Sequence, residues 1–195
     1  MTAKRDEIIA TTCELLEVQG YHATGLNRIL QESGAPKGSL YHYFPEGKEG
    51  LAAAAIARSG AGIAANIERA LAEGDDAAEA VTAFIRALAG HVAASGYRQG
   101  GPITAVALEA ASTSERLRLA CRDQYRGWQA LFAAKLRPGY GPARAERVAA
   151  LIIAAIEGGI ILARSERSPQ PLLDVAEEIV VLLGAGGEWR VGSSG

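Results

Sequence analysis

The chain has few aromatic residues, although half of it is apolar. Only 6% of its 195 residues are aromatic, whereas 49% are hydrophobic and alanine is abundant. Alanine is the best helix former, and clusters of β-branched residues, which favour strands, are sparse. This composition argues against a β-sheet protein and favours packed helices.

Cysteine and catalytic motifs are equally scarce. Cys13 and Cys121 lie far apart in helical patterns, and no CxxC, HExxH or Cys/His cluster is present. We therefore expect two reduced, buried thiols and no metal site. GxSxG, P-loop and dinucleotide fingerprints are missing, and His22, His42 and His91 have no evident catalytic partner in the sequence. These absences argue against an enzyme, and no cofactor is expected.

A basic excess and a long apolar run are also missing. Lysine and arginine number 20 against 22 acidic residues, a formal net charge of −2. The bulk charge gives no sign of nucleic-acid binding, but a binding face needs only local charge. The charged N-terminus is unlike a signal peptide, and no uninterrupted apolar run reaches the ~18 residues of a membrane span. We expect a cytoplasmic protein with no membrane partner.

Helical periodicity is what the sequence does have. Apolar residues recur at spacings of three and four along most of the chain, and glycine and proline breaks separate the segments. About nine helices are predicted, with no convincing strand and no internal repeat. A turn is predicted at residues 138–142, where two prolines and two glycines surround a tyrosine.

The stretch SGAPKGSLYHYFPEGKEGL, residues 33–51, lies between short helical patterns. A break at residues 33–36 between two short helices predicts a helix-turn-helix, whose second helix enters the major groove of DNA. In that second helix, Lys37 supplies positive charge, Gly38 permits close approach to a phosphate and Ser39 is a small polar group that contacts bases. Leu40 and Phe44 are interpreted as core.

Three aromatic side chains with polar atoms on their rings follow in the same helix. Tyr41, His42 and Tyr43 suit contacts with phosphate oxygens and thymine methyls. The starts of the flanking helices, at Thr24 and Lys48, attract phosphates through free N–H groups and the helix dipole. The alternative is a helical hairpin in which the rings only pack. The predicted DNA-binding residues are Thr24, Arg28, Lys37, Gly38, Ser39, Tyr41, His42, Tyr43 and Lys48.

These residues resemble the DNA-binding domain of TetR-type transcriptional repressors. The shared pattern is Thr, apolar, Ile, then Gly-apolar-x-x-Gly-x-Leu-Tyr-x-x-Phe and Lys. It is matched here by Thr24, Leu26, Ile29, Gly34, Ala35, Gly38, Leu40, Tyr41, Phe44 and Lys48. A second stretch, GGPITAVALEAA at residues 100–111, adds to this pattern. Together, the two stretches are similar to the LmrA/YxaF-like branch of the TetR/AcrR family. Pro36 replaces a common Ser or Thr, and Gly101 stands where that branch often has Cys.

The resemblance implies a TetR-like, all-α fold and a regulatory function. A three-helix DNA-binding domain is expected over residues 1–47, a ligand-binding and dimerisation domain over residues 48–185, and a flexible tail over residues 186–195. The implied protein is a homodimeric repressor, released from a palindromic double-stranded operator by a small apolar or aromatic effector. A transcriptional activator and a helical small-molecule-binding protein without DNA function remain alternatives.

A dimer is expected because one helix-turn-helix makes too little DNA contact for tight specific binding. The wide apolar stripe of the penultimate helix, with the last helix, would form a four-helix bundle across a two-fold axis. The alternative is that this stripe is ordinary core. The predicted interface residues are Leu151, Ile152, Ala155, Ile156, Gly159, Ile160, Ile179 and Leu183.

An effector cavity is expected among the middle helices. Their many small residues around a few rings can leave a cavity, and His91 and Gln124 can hydrogen-bond a ligand. The alternative is that each ring is core. The predicted lining residues are Phe84, Leu88, His91, Ile103, Val106, Tyr125, Trp128 and Phe132.

Overall fold

The computed structural model of the chain describes residues 2–184, which form nine helices and contain no strand. The helices are α1 Thr2–Ala23, α2 Leu26–Ser33, α3 Lys37–Tyr43, α4 Gly47–Ala72, α5 Ala77–Ala94, α6 Pro102–Ala110, α7 Glu115–Tyr140, α8 Pro142–Glu166 and α9 Gln170–Gly184. The predicted all-α fold class is confirmed. The predicted tail, residues 186–195, lies outside the described residues.

The chain divides into two compact units, each made of two separate segments of the sequence. Unit 1 comprises Met1–Ile63 and Arg98–Tyr125, and unit 2 comprises Ala64–Tyr97 and Arg126–Gly195. Helices α4 and α7 contribute to both units. Helix α6 belongs with the N-terminal helices because it packs along α1. The domain boundary expected between residues 47 and 48 stays a prediction.

Unit 1 is built around α1, which packs against α2, α3 and α6. Its core includes Ile8, Leu16 and Ile29, each almost fully buried. Leu40 and Phe44 are also buried, as predicted, at 0% and 3% exposure. These two residues fix one side of the short helix α3 against the core, so its other side is left to solvent.

Unit 2 is built around α5, which packs against α8 and α9. Asp76 begins α5 as its N-cap, and its carboxylate accepts a hydrogen bond from the Glu79 N–H at 2.8 Å. In the middle of α5, the Thr82 hydroxyl is buried and has no hydrogen-bond partner among the described residues. Such a group destabilises the core that contains it.

The predicted turn at residues 138–142 is shorter than expected. Helix α7 continues through Pro138 to Tyr140, and the chain turns at Gly141, whose φ is 70°. Proline is tolerated here because it removes only one backbone hydrogen bond close to the helix end. The Tyr140 hydroxyl donates to the Leu183 carbonyl, which ties the end of α7 to α9.

Three described helices, α4, α5 and α8, are long and apolar enough to cross a membrane by length and composition. The sequence-based expectation considered only uninterrupted apolar runs and did not anticipate this. In the folded chain, 33–44% of the most apolar window of each helix is buried inside the protein. Part of this apolar surface is therefore used for packing within the chain.

Candidate DNA-binding site

The turn between α2 and α3 depends on one glycine. Gly34 ends α2 in the left-handed conformation, with φ 59° and ψ 23°, which costs a residue with a side chain more than it costs glycine. Ala35 is then buried, and Pro36 adopts an extended conformation with φ −61° and ψ 142°. Helix α3 begins at Lys37, where the sequence predicted it.

One side of α3 is a continuous exposed surface. Lys37, Gly38 and His42 are exposed, and Tyr41 keeps 49% of its surface accessible. A Cβ added to Gly38 meets no atom within 4 Å, so the backbone itself is open to a close partner. Within residues 2–184, Lys37 makes no ion pair. The side of α3 opposite Leu40 therefore combines a free cation, an open backbone and an exposed phenol.

The remaining predicted residues of α3 are partly covered. Ser39 and Tyr43 are half-buried, and the rings of His42 and Tyr43 meet edge to face with centroids 5.1 Å apart. Tyr43 supports His42 from one side and leaves it accessible. The surface formed by Lys37, Gly38, Tyr41 and His42 is called the α3 face below.

The structure places Thr24 differently from the prediction. Gly25 is the N-cap of α2, and the Thr24 side chain is 1% exposed. The Thr24 hydroxyl donates to the Gly20 carbonyl at 2.7 Å and lies 3.2 Å from Gln19 Nε2. Because this hydroxyl is buried and bonded, Thr24 holds the entry to α2 rather than presenting its side chain to a phosphate.

Arg28 lies on the exposed side of α2 but has protein partners. Its Nε is 2.7 Å from Glu32 Oε1, and its Nη1 donates to Gln19 Oε1 at 2.6 Å. Exposed ion pairs of this kind contribute little to stability, so exchanging Glu32 for a phosphate costs little. Arg28 therefore keeps its predicted place on the accessible surface.

Lys48 is held more firmly, in the first turn of α4. Its Nζ lies 4.3 Å from the centroid of the Tyr21 ring and donates to the His22 carbonyl at 3.4 Å. Partial burial lowers the pKa of Lys48, and the negative charge of Glu109 opposes that change. Lys48 thus joins the start of α4 to the end of α1, a role that the sequence did not reveal.

Two acidic side chains of α1 have partners within the protein. Glu17 Oε1 accepts a hydrogen bond from the Gly100 N–H at 2.7 Å, and Glu7 pairs with Lys4 at 2.7 Å. Arg5 lies over the Phe44 ring, 5.5 Å from its centroid. Neither Glu7 nor Glu17 is paired with a residue of the α3 face.

The predicted effector residues are divided between the two units, three in unit 1 and five in unit 2. In unit 1, Ile103 and Val106 are buried, and the Tyr125 hydroxyl lies 3.4 Å from Thr104 Oγ1. Gln124 packs against Gly60, where an added Cβ would be 2.0 Å from its Oε1.

In unit 2, Trp128 and Phe132 are almost fully buried, and the Phe132 ring meets the Phe84 ring edge to face at 5.8 Å. Leu88 is half-buried. His91 is exposed to solvent, which argues against the enclosed position that the sequence suggested for it. Whether the buried rings contact an effector stays a prediction.

Most of the predicted dimer residues point into their own unit. The buried members of the set are Ile152, Ile156, Gly159, Ile160, Ile179 and Leu183. Leu151 is 50% exposed and Ala155 is half-buried, so these two remain available to a partner. The sequence placed the dimer interface on the buried side of α8 because the buried and exposed sides of this helix are both apolar.

A different surface of α8 and α9 is open. A groove of about 550 Å³ runs between the two helices. Its apolar lining includes Leu151, Ala155, Leu162, Val175 and Leu182, and Glu166, Asp174 and Glu178 also line it. Leu162 is 53% exposed. This surface is called the α8–α9 groove below.

Comparison with known proteins identifies the two parts of the chain. The model for bacterial regulatory proteins of the tetR family matches residues 8–55. The model for the C-terminal domain of LmrA/YxaF-like transcriptional regulators matches residues 77–178. The first match includes the whole α3 face, and the second includes the apolar residues of the α8–α9 groove up to Val175.

Full-length relatives agree with these matches. The HTH-type transcriptional regulator YxaF of Bacillus subtilis is 42% identical over 180 residues, covering 92% of this chain and 94% of the relative. LmrA of the same organism, also an HTH-type transcriptional regulator, is 38% identical, with 92% and 96% covered.

Solved structures support the fold. The regulatory protein TetR from Rhodobacter sphaeroides superposes with a TM-score of 0.80 at 24% identity, covering 90% of this chain and 96% of that one. The reduced form of Escherichia coli NemR gives a TM-score of 0.79 at 24% identity, with 90% and 95% covered. With its helix-turn-helix and these relatives, the chain belongs to the TetR family of DNA-binding transcriptional regulators, in the LmrA/YxaF-like group.

Proposed function

We propose that the protein is a homodimeric repressor that binds a palindromic operator and leaves it when a small apolar or aromatic ligand binds. The observation that carries this proposal is the exposed α8–α9 groove, on a chain whose described residues contain one helix-turn-helix. One α3 face alone makes few base contacts, whereas two faces related by a two-fold axis read both halves of a palindrome.

The α8–α9 groove has the composition of a dimer interface. Its exposed Leu151 and Leu162 are separated by 11 residues, about three helical turns, so they lie on one side of α8. Gly158 lies between them, and a Cβ added to it meets nothing within 4 Å. A second copy of α8 can therefore approach closely and cover both leucines, while the acidic lining residues stay at the solvated edge.

The α3 face supports operator binding by the same dimer. Lys37 and the open backbone at Gly38 provide phosphate contact, and Tyr41 and His42 provide contacts in the groove. The two reading helices of the dimer must then lie about one DNA turn apart, roughly 34–36 Å. This arrangement requires a cytoplasmic protein with access to the chromosome.

The ligand acts by shifting a population in this proposal. It releases the operator only to the extent that it binds the non-binding conformation more tightly than the binding one. The candidate contacts are the rings around Trp128 and Phe132, which are apolar and buried. This composition favours an apolar or aromatic ligand over a charged one.

Selection from random duplex DNA tests the proposal. The purified protein at moderate salt should enrich one palindrome, bound as one dimer per site. Apolar and aromatic compounds should then be screened for release of the labelled site. A monomeric complex or a non-palindromic site would refute the dimer, and a site whose binding is strengthened by every active ligand would refute release by an effector.

A further inference from the structure

The last turn of α1 is kinked at one residue. Gly20 has φ 79° and ψ −178°, which lie outside the helical range, and the chain then makes a further turn through Tyr21, His22 and Ala23. A break of this kind separates the backbone N–H groups that follow it from their usual partners in the preceding helical turn. The His22 N–H, two residues after the break, takes its partner from outside α1.

Glu109 of α6 supplies such a partner. Its Oε2 accepts a hydrogen bond from the His22 backbone N–H at 2.7 Å, and its carbonyl oxygen lies 3.2 Å from His22 Nε2. Its other carboxylate oxygen occupies the place of a side chain at Gly20, where an added Cβ would be only 1.9 Å away. The Glu109 carboxylate therefore occupies space that is open only because residue 20 is a glycine.

Hydrogen bonds continue from the kink into the helix-turn-helix. The buried Thr24 hydroxyl donates to the Gly20 carbonyl at 2.7 Å, and Gln19 Nε2 donates to the Ala23 carbonyl at 3.0 Å. Gln19 Oε1 in turn accepts from Arg28 Nη1 on α2 at 2.6 Å. The position of residues 20–24 therefore sets where α2 begins.

We infer that Glu109 is a positioning residue for DNA binding, which acts as an internal cap on the kink of α1. By holding the His22 N–H, it orders the residues that lead into α2 and so fixes the orientation of the α3 face. A displacement of α6 changes the kink through this contact. The inference uses the DNA binding of the family and does not depend on a repressor role or on an effector.

Ordinary packing between α1 and α6 does not account for this contact. A hydrogen bond from a backbone N–H to a carboxylate is directional and stronger than a neutral one. Glu17, which accepts from the Gly100 N–H at 2.7 Å, ties the preceding turn of α1 to the start of α6. Loss of Glu109 should therefore loosen the kink while α1 and α6 stay packed.

Three substitutions of Glu109 separate these roles. Glu109→Gln keeps an oxygen that can accept from the His22 N–H, Glu109→Asp is one methylene too short, and Glu109→Ala removes the acceptor. Glu115→Ala and Glu115→Gln are matched controls, because Glu115 is an exposed residue of α7 that pairs with Arg118. Each control removes one negative charge, as the corresponding Glu109 variant does. The comparison therefore cancels the gain in DNA affinity that comes from weaker charge repulsion.

Operator affinity, measured by fluorescence anisotropy on a selected duplex at constant salt, is the first measurement. Glu109→Ala should bind about tenfold more weakly than Glu115→Ala, as expected for the loss of a hydrogen bond to a charged acceptor at the entry to α2. Glu109→Gln should stay within about threefold of Glu115→Gln, and Glu109→Asp should resemble the alanine variant. Amide exchange should accelerate at residues 21–25 in the Ala and Asp variants, with little change in α5.

A double-mutant cycle tests the fit at the kink. Gly20→Ala should weaken operator binding for two reasons. The added methyl group collides with the Glu109 carboxylate, and alanine disfavours the positive φ of residue 20. Adding Glu109→Ala should recover part of that loss, whereas adding Glu115→Ala should recover none. Equal operator affinity and equal exchange at residues 21–25 for Glu109→Ala and Glu115→Ala would overturn the inference, as would no recovery in the cycle. The exchange measurement needs no operator, so it stands even if no DNA site is enriched.

Discussion

The α3 face and the α8–α9 groove differ in how closely the sequence specified them. For α3, the sequence predicted a short helix after the break at residues 33–36 and the burial of Leu40 and Phe44. For α8, it predicted a helix but placed the interface on Ile152 and Ile156, which are buried in their own unit. The exposed apolar residues of α8 include Leu151 and Leu162 instead.

Residue type explains this difference. At α3, the buried and exposed sides differ in chemistry. Leu40 and the C-cap Phe44 are buried, whereas Lys37, Gly38 and Tyr41 are exposed. On α8, both sides are apolar, so a period of 3.6 residues identifies the helix without indicating which side faces a partner. An interface made of the same residue types as the core can be located only when the packing of the chain is known.

The largest expected effect is a charge placed in the α8–α9 groove. Leu162→Glu should abolish the dimer without unfolding the protomer, because Leu162 is 53% exposed in the single chain. Operator affinity should then fall about 100-fold or more, since the second half-site is no longer held by the same molecule. Analytical ultracentrifugation and anisotropy measure the two effects.

Leu108→Glu is the matched control for that experiment. Leu108 is 76% exposed on α6 and lies outside the α8–α9 groove. Its replacement should leave the dimer and operator affinity within about threefold of the unmodified protein, as for most exposed substitutions. Dimers of equal stability in both variants would show that the groove is not the interface.

The next largest effect is the loss of the free cation on the α3 face. Lys37→Ala should weaken binding to all DNA sequences and reduce the slope of log K against log salt by about 1 per protomer, or about 2 per dimer. Arg86→Ala is the control, because Arg86 is exposed on α5 in unit 2. An unchanged slope for Lys37→Ala, or an equal change for both variants, would remove Lys37 from the DNA contacts.

Two glycines only four residues apart should respond in opposite ways. Gly34→Ala should destabilise the protein by about 1 kcal/mol, because Gly34 ends α2 at φ 59°. Gly38→Ala should stabilise it by up to about 1 kcal/mol through helix propensity, because its site is open, yet weaken operator binding. Urea unfolding and anisotropy distinguish these outcomes, and tighter DNA binding by Gly38→Ala would contradict the close approach proposed there.

An effect of similar size is expected in the core of unit 2. Thr82→Val replaces a buried hydroxyl that has no partner among the described residues with a methyl group of similar size. The free energy of unfolding should rise by about 1 kcal/mol, since the substitution removes a buried hydroxyl whose hydrogen bonding is unsatisfied. Thr12→Val is the contrast, because the Thr12 hydroxyl donates to the Ile8 carbonyl at 2.7 Å and its loss should give no gain.

A pH dependence is expected in unit 1. Burial raises the pKa of the Cys121 thiol to about 11, from 9.0 in the unfolded chain. This contribution to stability is complete below pH 9.0 and declines as pH rises toward 11. Cys121→Ala should therefore flatten the fall in unfolding free energy between these pH values, and an equal fall in both proteins would contradict the assignment.

The sequence could predict the features that a single segment determines. Helix periods, the break at Gly34 and the α3 face all follow from neighbouring residues. Thr24 was misplaced because threonine suits both a helix cap and a buried hydrogen bond, and its partner at Gly20 became evident only with the kink. Glu109 was missed because its contact with His22 joins residues 87 positions apart. Local patterns contain no information about such contacts.

Photocrosslinking from the α3 face tests the central claim most directly. A benzoylphenylalanine in place of Tyr41 keeps an aromatic side chain at a site that is 49% exposed, and the same group in place of Leu108 is the control. The account predicts crosslinks from position 41 to two operator sites related by symmetry, with centres about 10 base pairs apart, and none from position 108. No crosslinks from position 41 in a complex that binds with normal affinity would contradict it.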